Sequence, residues 1–84
     1  AHLAEAFNMP ICPHFLMELH VGLTAAVPNG RWVEHIPQLD DLTLAGMTIE
    51  DGHAVPSPEP GLGIAWDMDA IEARRVNELT MVVD

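Results

Sequence analysis

Lysine is absent from this chain, and Arg31, Arg74 and Arg75 are its only strong bases against thirteen acidic residues, for a formal charge of −10. Neutralising nucleic-acid phosphates requires clustered Lys and Arg, so nucleic acid is excluded as a partner. Anionic membrane surfaces are disfavoured for the same reason. Cysteine is nearly absent too. A single Cys12 rules out an internal disulfide framework and fits a reducing compartment. No stretch approaches the roughly 18 consecutive apolar residues of a membrane-spanning helix, and no signal-peptide pattern is visible. The expectation is a soluble, cytoplasmic protein. The opening Ala1-His2-Leu3-Ala4-Glu5-Ala6-Phe7 has neither an initiator Met nor a Ser, Thr, Asp or Asn to start a helix. It reads as the middle of a helix begun elsewhere, and the chain as a fragment or as one member of an assembly.

What is present is apolar: 49% of 84 residues, more than a domain burying on the order of 60% of its surface readily hides. Residues 1–7 continue a helix, and Asn8 suits the left-handed conformation that stops one. Met9 to Pro13 reads as a short strand that Pro13 must end, because proline donates nothing to a ladder. Phe15 to Val27 reads as a helix apolar nearly all round, hence buried on more than one side. Pro28-Asn29-Gly30 turns the chain, and Arg31 to Ile36 is expected as a second strand. The sixteen residues from Phe15 to Gly30 suffice for a helical crossover, which makes the two strands parallel neighbours. Residues 37–46 read as a loop. Asp51-Gly52 predicts a hairpin between 47–50 and 53–55. Three prolines and two glycines make 56–63 an extended loop. Asp67 caps a helix expected to reach Asn77, followed by a tail over 78–84 whose Met81-Val82-Val83 could add a strand.

His14 and Glu34 stand at the ends of the two expected strands. Histidine titrates near neutrality and can move a proton in either direction. Glu34, facing inward beside Trp32, could stay neutral and donate a hydrogen bond to a developing oxyanion. Alone, each reads more simply as an ordinary strand-end residue; the pair at one sheet edge is the informative feature, since ligands bind at the carboxyl ends of parallel strands. A metal cluster of His14, Glu18 and His20 fails, because Glu18 and His20 point about 200° apart on a helix. No zinc spacing is present. Cys12 reads as a small core residue, and His2, His20, His35 and His53 as structural. Asp40-Asp41 reads as a solvated loop, and Gly61-Leu62-Gly63 lacks the context of a phosphate loop.

The run Leu3-Ala4-Glu5-Ala6-Phe7-Asn8-Met9-Pro10-Ile11-Cys12-Pro13-His14-Phe15, then Ala25-Ala26-Val27-Pro28-Asn29 and Trp32-Val33-Glu34, resembles the end of the barrel in the enolase superfamily, mandelate racemase subgroup. Cys-Pro-His-Phe-Leu-Met-Glu-Leu-His is most similar to the acid-sugar dehydratases of that subgroup. Asp51-Gly52 and Pro60-Gly61-Leu62-Gly63-Ile64 resemble its C-terminal segment. The resemblance implies an α/β fold, the C-terminal fragment of a (β/α)7β TIM-like barrel. Residues 1–46 would form its last βαβ portion and 47–84 its closing segment. It also implies catalytic roles: His14 as general base, or as the acid that helps expel a 3-hydroxyl, and Glu34, protonated, as donor to an enolate.

The implied cofactor is magnesium, held by carboxylates upstream of this chain together with a lysine-bearing motif and an aspartate that orients the histidine. The implied partners are the N-terminal remainder of the barrel, a capping domain, a small acid-sugar substrate and further copies of the complete protein in a homo-oligomer. The expected function is thus part of a magnesium-dependent acid-sugar dehydratase, with the chain inactive alone. The alternatives are a racemase or epimerase of the same subgroup, and a non-catalytic half-barrel that assembles through its exposed helix.

Overall fold

The computed structural model describes residues 1–82. Its first element, α1 (His2–Ala6), runs straight from the start of the chain and stops where Asn8 turns left-handed at φ 56°. The Asn8 and Met9 amides donate back to Glu5 and Ala4, closing the helix end. The chain then reaches the second helix, α2 (Met17–Ala25), through two consecutive left-handed residues, Phe15 (φ 69°) and Leu16 (φ 45°). Both carry bulky side chains that disfavour this region. The helix therefore starts at Met17 and not at Phe15, and it ends at Ala25, before Val27.

The two expected strands, 9–13 and 31–36, are corrected to a single parallel bridge between Ile11 and Gly30. The Ile11 amide donates to the Asn29 carbonyl at 2.8 Å, and the Arg31 amide donates to the Ile11 carbonyl at 3.2 Å. Pro10 and Pro13 remove the donors that would extend this ladder. The parallel direction and the helical crossover stand as read. Glycine at position 30 is a matter of space: a Cβ there would lie 2.1 Å from the Thr24 carbonyl oxygen on α2.

The 37–46 segment is more ordered than a loop. It holds a 3-10 turn at Asp40–Leu42 and a strand, β1 (Thr43–Ala45). β1 pairs antiparallel with β4 (Ala65–Trp66), Thr43 opposite Trp66 and Ala45 opposite Ala65, with an irregularity between. Between them lies the hairpin of β2 (Thr48–Glu50) and β3 (His53–Val55). Its turn residues, Asp51 (φ 50°) and Gly52 (φ 76°), are both left-handed, the type I′ geometry that matches strand twist. Helix α3 (Met68–Ala73) is capped by the Asp67 carboxylate, which accepts from the Ala70 amide at 3.0 Å. It stops at Ala73, short of Asn77. Val76 is 95% exposed, so nothing there supplies the apolar contact that sustains a helix of this length. No strand forms over 78–82; Val83 lies outside the described residues.

The core is small. Met17 and Val21, one helical turn apart on α2, are the buried apolar residues, and Glu18 beside them is buried as well. Leu23 on the opposite face is 67% exposed. The accessible surface is 6786 Å², against about 4,900 Å² for a compact monomer of this mass. The radius of gyration, 15.7 Å, compares with about 12 Å for a compact chain of this length.

Candidate active site

The Ile11–Gly30 bridge aligns two parallel segments, and following both chains forward brings the candidate residues together. His14 lies three residues beyond Ile11 and Glu34 four beyond Gly30. The His14 Nε2 and Glu34 Oε2 atoms are 3.1 Å apart, within ion-pair distance. The imidazole is tilted 35° against the Phe15 ring, centroids 6.2 Å apart. Both side chains are open to solvent, 77% exposed for His14 and 47% for Glu34. Glu34 does not face inward within this chain, and Trp32, expected on the same face, is itself 76% exposed. An exposed pair of this kind can exchange protons with a small molecule, but within this chain nothing excludes water from it.

Below the pair, the Asn29 side-chain amide donates to the Met9 carbonyl at 3.0 Å and to the Ala1 carbonyl at 3.2 Å, tying the turn before Gly30 to the first segment. Above it, the His20 ring meets the Phe15 carbonyl at 2.7 Å across the left-handed kink, so His20 is structural as expected. The Leu16 amide reaches the Gln38 side-chain oxygen at a long 3.5 Å. The Leu39 amide donates to Glu18 Oε1 at 3.2 Å.

Glu18 is where reading by spacing missed a role. Considered only as a metal ligand and set aside, it is a buried carboxylate bound to backbone. Its signal in the sequence is one acidic position between the apolar Met17 and Val21 on a helix that carries no other charged carboxyl. Cys12 is exposed and not a core residue, because nothing packs over that side of the 9–13 segment. His53 bonds its own turn through the Asp51 carbonyl, and Asp41 lies 3.9 Å from Arg74. Among the described residues no three His, Cys, Asp or Glu side chains converge to hold a metal ion, so a magnesium ion does not fit on this chain's residues alone. No helix among the described residues is long and apolar enough to cross a membrane.

Known proteins resemble this chain in sequence and in fold. The chain is 36% identical to the L-talarate/galactarate dehydratase of Salmonella typhimurium over 78 residues, covering 93% of this chain and 19% of that protein. It is 32% identical to the D-xylonate dehydratase of Haloferax volcanii, covering 96% of this chain and 22% of that protein. The chain thus spans about a fifth of the length of the curated relatives it matches. Among solved structures, the Salmonella dehydratase liganded with magnesium and L-lyxarohydroxamate superposes with a TM-score of 0.76 at 34% identity, over 84% of this chain and 18% of that one. A Bradyrhizobium enolase complexed with magnesium and mandelic acid superposes with a TM-score of 0.78 at 25% identity, over 90% and 21%. The family described as enolase C-terminal domain-like matches residues 1–70. With that match and these superpositions, the chain belongs to the enolase C-terminal domain-like family, in its mandelate racemase branch, and its α/β fold is that of the C-terminal portion of the family's TIM-like barrel.

Proposed function

We propose that this chain contributes His14 and Glu34 to the active site of an acid-sugar dehydratase. The observation that carries the reading is the 3.1 Å approach of His14 Nε2 to Glu34 Oε2, made by residues twenty apart in sequence. The names of the two curated relatives, both dehydratases of acid sugars, support this choice of substrate class. Dehydration of a 2,3-dihydroxy acid breaks the Cα–H bond, passes its electrons into an enolate and then expels the 3-hydroxyl as water. His14 suits the transfer of a proton at the reacting carbon or at the departing oxygen, because imidazole accepts and donates near neutral pH. Glu34, when protonated, suits donation to the enolate oxygen.

This chain's residues do not form a magnesium site. Magnesium, named with the structural neighbours, would be held by residues outside the chain, where it would offset charge on a substrate carboxylate. The surface supports the same view of what completes the site. It exceeds that of a compact monomer by about 1,900 Å², area that the rest of a barrel would cover, and Leu3, Phe7, Leu23 and Trp32 are among the exposed apolar residues.

The test is a magnesium-dependent dehydration assay on galactarate, L-talarate and D-xylonate with the complete protein and its His14→Asn variant. Turnover that disappears in the variant is the expected result; unchanged turnover removes His14 from the mechanism. Product analysis separates dehydration from racemisation, since only the former loses water. A compact, inert oligomer of this chain alone would favour an assembly module instead.

A further inference from the structure

We propose that Glu18 is the positioning residue of the His14–Glu34 pair: its buried carboxylate staples the start of α2, just after His14, to the backbone just after Glu34. The inference rests on the reading of that pair as the working groups.

The segment carrying Glu34 has few other anchors. Between Arg31 and Leu39 the backbone bonds are local ones, Ile36 to Glu34 and Gln38 to Ile36. Among the described residues, its hydrogen bonds to the other segment lie at its two ends. At the lower end the Arg31 amide meets Ile11. At the upper end are the long Leu16–Gln38 contact at 3.5 Å and the Leu39 amide donating to Glu18 Oε1 at 3.2 Å. With no strand ladder to hold it, Glu34 stands opposite His14 because both ends of its segment are pinned.

Of the upper contacts, Glu18 makes the shorter, and its acceptor is a carboxylate, the stronger kind. The side chain also sits where a carboxylate is costly. Glu18 is 7% exposed, and its second oxygen, Oε2, is buried with no hydrogen-bond partner. Burying such a group without full pairing is unfavourable, and an apolar residue of the same volume would fill the space at less cost. What an apolar residue would not do is accept from the Leu39 amide. The position lies four residues after His14 and reaches five residues past Glu34.

The experiment reads the imidazole directly. In the ¹⁵N-labelled protein, the His14 ring signals of Glu34→Gln define the unpaired state. Glu18→Met, which keeps the volume and removes the acceptor, is expected to move those signals toward the Glu34→Gln position, with the far-UV spectrum unchanged. Glu18→Gln, whose amide oxygen still accepts from Leu39, is expected to hold them at wild-type values. Should Glu18→Met unfold, Glu18→Asp keeps the charge, retracts it by one methylene and is read in the same way. Wild-type His14 signals in a folded Glu18→Met or Glu18→Asp protein, or displaced signals in Glu18→Gln, overturn the proposal. A Glu34→Gln substitution that leaves the His14 ring unmoved defeats the pairing itself, an outcome distinct from failure of the staple.

Discussion

A glycine and a histidine show how far single residues govern this molecule. Gly30 lies so close to α2 that an added methyl group would fall 2.1 Å from the Thr24 carbonyl. Neither side can yield without moving backbone, so Gly30→Ala should cost about 2 kcal/mol or more in chemical denaturation. An Ala variant as stable as wild type would show that the crossover is looser than drawn. His14 and Glu34 are the residues to which the proposed chemistry is assigned. In a complete enzyme, His14→Asn should lower kcat by about 10²–10⁴, the range supplied by a placed proton-transfer group. Glu34→Gln keeps a donor but removes the acid, and should lower kcat by about 10² or more. Steady-state kinetics on an acid sugar measure both. These two positions were legible in the sequence because proline, turn and apolar pattern marked the segment ends. The exposure of Glu34 was not, since whether a strand-end side chain is buried depends on packing that a linear pattern does not encode.

At the scale of elements, agreement is best where local chemistry dictates the outcome. Asp51-Gly52 needs two left-handed residues and adopts them, and Asp67 caps α3 as its side chain allows. Asp67→Ala should therefore destabilise α3 by about 1 kcal/mol, read as lost hydrogen-exchange protection at the Ala70 amide; unchanged protection would mean the cap is idle. Where tertiary pairing decides, the linear pattern misled. The 9–13 and 31–36 segments have strand composition but only one bridge, and Thr43–Ala45 lay unnoticed because its partner, Ala65–Trp66, is twenty residues away. That pairing also joins the expected 1–46 and 47–84 portions across their boundary. Helix α2 reads as longer in the sequence because Phe15 and Leu16 continue its apolar run. Their left-handed backbone answers to the kink beneath His14 and not to propensity.

For the whole molecule the deciding quantity is uncovered apolar area. Phe7, Trp32, Leu23 and Val76 stand largely in water, while Met17 and Val21 are the buried apolar side chains. A chain so arranged should melt broadly when alone and bind a hydrophobic dye such as ANS strongly. Both signals should fall when the remainder of a barrel is supplied. A sharp, cooperative transition with no dye binding would point to self-assembly as the chain's own way of covering that face. Composition foretold this surplus, because nearly half of so short a chain is apolar. The Salmonella and Bradyrhizobium superpositions show the architecture that this chain's fold matches.

The close approach at Gly30 reaches beyond stability. With the turn pressed against Thr24 and stitched by Asn29 to Met9, the path from Ile11 to Gly30 has no slack. One residue added to or removed from α2 would rotate its later turns by about 100° and swing the carbonyl that Gly30 accommodates to another side. The interval separating imidazole from carboxyl therefore behaves as a ruler of fixed length. Substitutions in α2 that keep its length should leave that interval intact, whereas insertions or deletions within it should separate His14 from Glu34 however conservative their chemistry.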